Sequence, residues 1–320
     1  MKRKSLCRAL GLAAACVLLV GAGIASAGIN IETVQVGNVG NAADMRIQRD
    51  NTSGYGAVSY EYRIGKYEVT AGQYTAFLNG VAKTDTYNLY NTNMASTGLG
   101  SGISRSGLPG NYAYTVASAF ENRPVNYVSF WDSCRFANWL NNGQGNADTE
   151  TGAYTLTTTG IANNTITRNA GATWAVTSED EWYKAAYYTG SGYSLYANGT
   201  GTAPDRGTSG SNYWGGVGVG SSHFYWDVGT GAAEQNGTED MMGNVWEWNE
   251  GITIGAKRVM RGGSLYTNED CLQANYRPNF PGSPTLDVAD AGFRVSQVPE
   301  PASLGILGLG VVGMLVRRRR

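Results

Sequence analysis

Between Asp240 and Arg277 two tryptophans flank a single carboxylate, as Trp246-Glu247-Trp248, and a glycine pair follows a short apolar run. Arg258-Val259-Met260 reads as a strand that delivers Arg261 and then Gly262-Gly263. Glycines directly after a strand let one backbone approach another where a side chain would clash. Large rings, a flanked acid and a glycine hinge in one stretch point to a pocket wall rather than to ordinary core. Arg261 reads as a guanidinium holding irregular backbone through its five donors. Ligand contact, or pairing with Glu247, are the other readings.

The two ends narrow what surrounds this stretch. Lys2, Arg3, Lys4 and Arg8 precede an apolar run from Ala9 to Ile24 and a small-x-small site at Ala25-Ser26-Ala27. That pattern is an export signal over residues 1–27, with the mature chain starting near Gly28. At the other end Val298-Pro299-Glu300-Pro301 leads into an apolar run, Ala302 to Val316, and then Arg317 to Arg320. As a helix that run reaches about 22 Å, short of a hydrocarbon core of roughly 30 Å. The order of motif, short span and arginine cluster resembles the PEP-CTERM sorting signal over residues 298–320. The resemblance implies export by a Gram-negative bacterium, removal of the tail by an exosortase, transient association with the inner membrane, and delivery to the cell surface or an extracellular matrix.

Without its two ends the chain keeps 16 basic and 24 acidic residues, a net charge near −8. Such a balance argues against nucleic acid as a partner, because neutralising phosphates requires basic patches. About 270 residues suffice for one domain, and 45 glycines in the chain predict a loop-rich one. Cys134 and Cys271 are the two cysteines outside the export signal. In an oxidising compartment they can pair or remain apart. His223 is the only histidine, which excludes metal sites built on several imidazoles.

Along the chain, Val34 and Val36 mark a leading strand. Tyr60, Tyr62 and Ile64 alternate onto one face of a second, and Lys66 to Val69 reads as its extension. Thr70 and Gln73 form a capping box for a helix with Tyr74, Phe77 and Leu78 on its apolar stripe. Residues 83–121 read as an irregular surface excursion. Ser129 caps a second helix carrying Phe130, Phe136, Ala137 and Leu140, and Gly143 ends it. Residues 149–168 hold Thr-rich strand candidates, and Ser178 with Glu181 caps a further helix bearing Trp182, Ala185 and Ala186. A last strand runs from Ala291 to Val295.

The segments YRIGKYEVTAGQYTAFLN, VSFWD, FANWL, TSEDEWYKAA, GNVWEW and RGGS resemble the formylglycine-generating-enzyme (sulfatase-modifying factor) superfamily, over residues 60–295. The resemblance implies a single α+β, loop-rich domain of C-type-lectin-like architecture spanning residues 28–297. It also implies a pocket at Trp248, Ser264, Thr267, Asn268 and Leu272. The family's oxidases convert a substrate cysteine to formylglycine with copper held by two cysteines, three and eight residues after the RGGS serine. Here those positions are Thr267 and Leu272, and neither supplies the thiolate that Cu(I) prefers. The residue after the first, a histidine in the oxidases, is Asn268. Copper is therefore not expected. The resemblance carries calcium to two ligand sets instead, with oxygen donors suited to that ion. One is Met242, Gly243, Val245 and Glu247; the other is Asn212, Tyr213, Asp227 and Gly229. Trp246, Trp248, Tyr266 and Tyr276 are candidates for stacking on sugar or peptide. The expected function is a non-catalytic binding or structural module for a glycan, peptide or exopolysaccharide, with a modified oxidase as the alternative.

Overall fold

The computed structural model describes residues 28–214, 224–253, 255, 257–278 and 282–299. The stretch expected to be an export signal, nearly all of the sorting tail, and His223 lie outside the described residues. Among the described residues no helix is long and apolar enough to cross a membrane.

Strand β1 (Thr33–Val36) pairs antiparallel with β2 (Tyr62–Gly65), whose Tyr62 and Ile64 face the core while Arg63 faces solvent. The extension expected through Val69 does not form. The chain bends after Gly65, and Val69 N–H bonds instead to Phe293 O. Helix α1 (Ala71–Val81) begins at Thr70 with both halves of its capping box made, and it buries Tyr74, Phe77 and Leu78. The stretch after it is more than a surface excursion. It holds a hairpin of β3 (Ile103–Ser106) and β4 (Ala113–Val116), and it sends Leu89, Tyr90, Met94, Ile103 and Tyr114 into the core. Helix α2 (Phe130–Asn141) is buried on nearly every side and packs Phe136 edge-on and Trp139 tilted against Phe77. Where threonines suggested strands, Thr157 instead caps a short helix α3 (Thr158–Asn163), its hydroxyl accepting from Gly160 N–H. Threonine serves both roles, and the local hydrogen bond decides it here.

Strand β5 (Trp174–Val176) leads to helix α4 (Glu179–Tyr187), opened by the Ser178–Glu181 capping box. After a long loop come β6 (Trp246–Ile252) and β7 (Arg258–Arg261). The predicted last strand is two strands. β8 (Ala291–Phe293) lies parallel beside β6, and β9 (Val295–Gln297) crosses to the other sheet. One sheet therefore runs β1-β2-β9-β5 and the other β7-β6-β8, with Arg294 at the switch between them. A core of Phe77, Phe136, Trp248 and Phe293 fills the space between α1, α2 and the second sheet. A second cluster around Trp182, Tyr187 and Met241 lies under α4.

Candidate functional site

The residues from Asp240 to Gly263 reach their positions through unusual backbone. Asp240 and Asn244 adopt left-handed φ values of 59° and 57°, and Gly243 adopts 87°. A Cβ on Gly243 would lie 2.3 Å from Asn212 O. Glycine alone lets these two loops run side by side, bridged at Asn212 and Gly243. A Cβ on Gly263 would meet the Leu272 side chain at 2.7 Å.

Glu247 lies fully buried at the centre of the site. Its two oxygens accept from Arg294 Nε and Nη2, each at 2.6 Å, and Oε2 also accepts from Trp182 Nε1 at 2.8 Å. Arg294, equally buried, donates its remaining N–H groups to Gly65 O, Lys66 O and Glu239 O. The cation facing Glu247 is therefore a guanidinium. A calcium ion on the same carboxylate would sit against that positive charge, so the set Met242, Gly243, Val245 and Glu247 does not fit the ion. Nor does Glu247 pair with Arg261, although the two lie opposite each other in the β6–β7 register.

Arg261 holds loop backbone, as its sequence context suggested. It donates to Ala274 O and Tyr276 O, to Gln48 Oε1, and to Glu179 Oε1 at 2.7 Å. Arg277 forks onto the same Glu179, at 2.8 Å to each oxygen, and reaches Asp50 at 2.5 Å. Nothing in the local sequence singles out Glu179, Asp50 or Arg294. They meet their partners across 98, 227 and 47 residues of chain respectively.

Around Glu247 lie further buried acids. Glu68 accepts from Asn244 Nδ2 and Val245 N–H, and burial, with Asp240 and Glu247 nearby, holds its carboxyl well above the usual range. Burial likewise pushes Glu234 up to about 8 and Asp240 to about 6.

The second oxygen set is partly engaged. Asn212 donates to Phe224 O and Asn244 Oδ1, its own carbonyl accepts from Asn244 N–H, and the Tyr213 ring is buried with its hydroxyl on Pro204 O. Gly229 N–H is bound to Asp240. Asp227 presents an exposed side chain. Among the described residues no group of three or more His, Cys, Asp or Glu is placed to hold a metal ion.

Of the family's pocket positions Trp248, Ser264 and Leu272 are buried, Thr267 is half-buried and Asn268 is exposed. Trp248 is fully buried, with Nε1 on Val128 O at 3.0 Å and its ring edge-on to Phe130, so it presents no face for stacking. Trp246 is buried too, stacked on Tyr276 at 5.8 Å, and the Arg49 guanidinium covers Tyr276 at 4.5 Å. Tyr266 and Tyr276 remain half-buried. Ser264 Oγ donates to Asp290 at 2.8 Å. Thr267 Oγ1 accepts from Ser264 N–H and donates back to Ser264 O, both at 2.9 Å. Leu272 is fully buried, with its carbonyl accepting from Tyr187 OH. Asn268 precedes the short 3-10 helix and accepts weakly from Cys271 Sγ at 3.5 Å. A hydroxyl spent on backbone and a packed isobutyl group do not fit Cu(I). Cys271 is unpaired, and Cys134 is free and buried in α2.

Among the described residues an open cleft lies apart from these positions. A cleft of about 800 Å³ runs between residues 29–32 and α1, lined by Tyr67, Glu68, Thr70, Gln73, Glu121 and Asp227 among others, and not by Ser264 or Thr267.

Residues 33–298 match the family model of the sulfatase-modifying factor enzyme 1-like domain, and residues 297–320 match the PEP-CTERM protein-sorting motif. That motif marks an exported chain of a Gram-negative bacterium, sorted at its C-terminus and processed by an exosortase. No curated protein matches the chain. Among solved structures it is similar to Treponema denticola variable protein 1, at 20% identity and a TM-score of 0.48, covering 83% of this chain and 95% of that one. CarF aligns at 20% identity and 0.49, covering 84% and 99%. PvdO from Pseudomonas aeruginosa aligns at 18% and 0.48, covering 83% and 92%.

Proposed function

Because the chain belongs to the sulfatase-modifying factor enzyme 1-like family and carries a C-terminal sorting motif, we propose that it is an exported, surface-sorted module that binds or organises rather than oxidises. One observation carries the reading: where the oxidases hold two copper thiolates, Thr267 is tied to Ser264 and Leu272 is sealed in the core. The ligand class that suits such a module is a glycan, peptide or exopolysaccharide. Trp248 and Ser264 are buried and the half-buried Thr267 spends its hydroxyl on Ser264, so the ligand's contact surface is read as lying outside that region. The 800 Å³ cleft beside α1 is an open surface large enough for it. A glycan and peptide array probed with the mature domain tests this, with Gly72→Trp in the cleft expected to abolish any capture.

The oxidase alternative is tested directly. The purified mature domain, loaded with Cu(I) and given a cysteine peptide of the sulfatase type, is expected to leave the peptide mass unchanged and to consume no oxygen above a protein-free control. Conversion of the thiol to an aldehyde would overturn the binding reading.

Calcium enters the proposal only at Asn212, Tyr213, Asp227 and Gly229, where the Asp227 carboxylate is exposed. There an ion would cross-link the 212–213 and 227–229 loops through oxygen donors. Chelation is then expected to lower the melting temperature of the wild type and to leave that of Asp227→Asn unchanged. Equal responses from the two proteins would remove calcium from the account.

A further inference from the structure

The sorting tail leaves the domain from the middle of a sheet. β9 is bonded on both sides, through Arg63–Gln297 and Ile64–Ser296 to β2 and through Ala175–Ser296 and Trp174–Gln297 to β5. Beyond it Val298 N–H still bonds to Thr173 O at 2.9 Å, and the Val298 side chain packs on the cluster under α4. The Pro-Glu-Pro triplet begins at the very next residue, and the apolar run begins at Ala302. Four residue steps separate Val298 from Ala302, an extended reach of at most about 14 Å.

That distance leaves no room for a spacer. Fraying of Val298 alone would give up its hydrogen bond to Thr173 and its side-chain packing. Going further would strip Gln297 and Ser296 from both neighbours and pull on Arg294, which is locked to Glu247. An active site that works on Pro-Glu-Pro in the folded chain must therefore touch the domain surface around Val298. That surface is a shallow cleft of about 320 Å³ whose rim carries the exposed Gln35, Glu61 and Arg63 beside Pro299. Its lining combines apolar surface from Tyr62, Val298 and Pro299 with the charges of Glu61 and Arg63, a mixture suited to a protein surface.

We propose that this end of the sheet, with Gln35, Glu61 and Arg63 around the departing Val298-Pro299, is a docking face for the membrane enzyme that processes the tail. The inference rests on the sorting reading and adds to it a contact made by the folded domain. It is tested in a host carrying the processing machinery, by following conversion of the full chain to its shortened form in a pulse-chase. Glu61→Lys combined with Arg63→Glu is expected to slow conversion several-fold at native spacing. It should have no effect once about ten Gly/Ser residues are inserted between Val298 and Pro299. Thermal melts of the full chains check folding, and Gln35→Lys serves as a second variant should the charge swap lower the melt. Unchanged conversion at native spacing overturns the proposal, as does equal slowing with and without the insert. If the unaltered chain is never shortened, the sorting reading itself fails, a result distinct from the other two.

Discussion

Glu247 and Arg294 show how a residue's neighbours in space can outrank its neighbours in sequence. The flanking tryptophans make Glu247 conspicuous, yet its charge is met by a guanidinium 47 residues away and by Trp182 from α4. Removing one partner of such a pair leaves a buried charge uncompensated, at a cost of about 3–5 kcal/mol. Glu247→Gln is accordingly expected to lose that much stability in urea unfolding, and equally with calcium or with chelator present. A loss that appears only when calcium is supplied would instead make Glu247 a ligand. Leu272 teaches the complementary lesson. From sequence it marks an absent thiolate, and only the packing shows that its side chain occupies core, with no room left for an ion.

The helices were the most legible elements. The capping boxes at Thr70 and Ser178 and the cap at Ser129 are local chemistry, read from residues three apart, and all three form. The α2 box is completed by Asp132, which accepts from Ser129 N–H and Oγ while fully buried. Burial, helped by Asp287 and opposed by the Ser129 hydrogen bonds, pushes its carboxyl from 3.8 up to about 7. Between those values the folded chain holds a proton that the unfolded chain has lost. Stability contributed here is therefore full below the unfolded value and falls as pH rises towards 7. Asp132→Asn is expected to flatten the decline in melting temperature between about pH 4 and pH 7, and a slope identical to wild type would refute the assignment. Strands were harder to read. Thr157 serves as a helix cap, and the run from Ala291 to Val295 is divided between two sheets, because strand identity depends on partners that no short window contains.

At the scale of the whole molecule, the buried ions tie distant segments into one domain. Arg277 joins residues 50, 179 and 252, and Arg261 joins 48, 179 and 274. Cys134 and Cys271 take no part in this cross-linking, since one is sealed within α2 and the other sits half-buried on a 3-10 turn. A chain beginning at Gly28 should therefore accept one maleimide, at Cys271, and a second only after denaturation, with reductant leaving its melting temperature unchanged. Protection of both thiols until reduction would mean that they are bonded.

By itself the sequence determined what is written in short spans: the helix caps, the strand faces of Tyr62 and Ile64, the family motifs, the missing thiolate positions and the order of motif, apolar run and arginines in the tail. These depend on spacing along the backbone, which one chain displays directly. The tertiary structure alone decided which charge meets which, that Trp248 and Ser264 are covered, that Arg294 sits at a sheet switch, and that the sorting motif leaves from a central strand. Those outcomes depend on desolvation and contact between segments far apart in the chain, and neither exists until the segments are folded together.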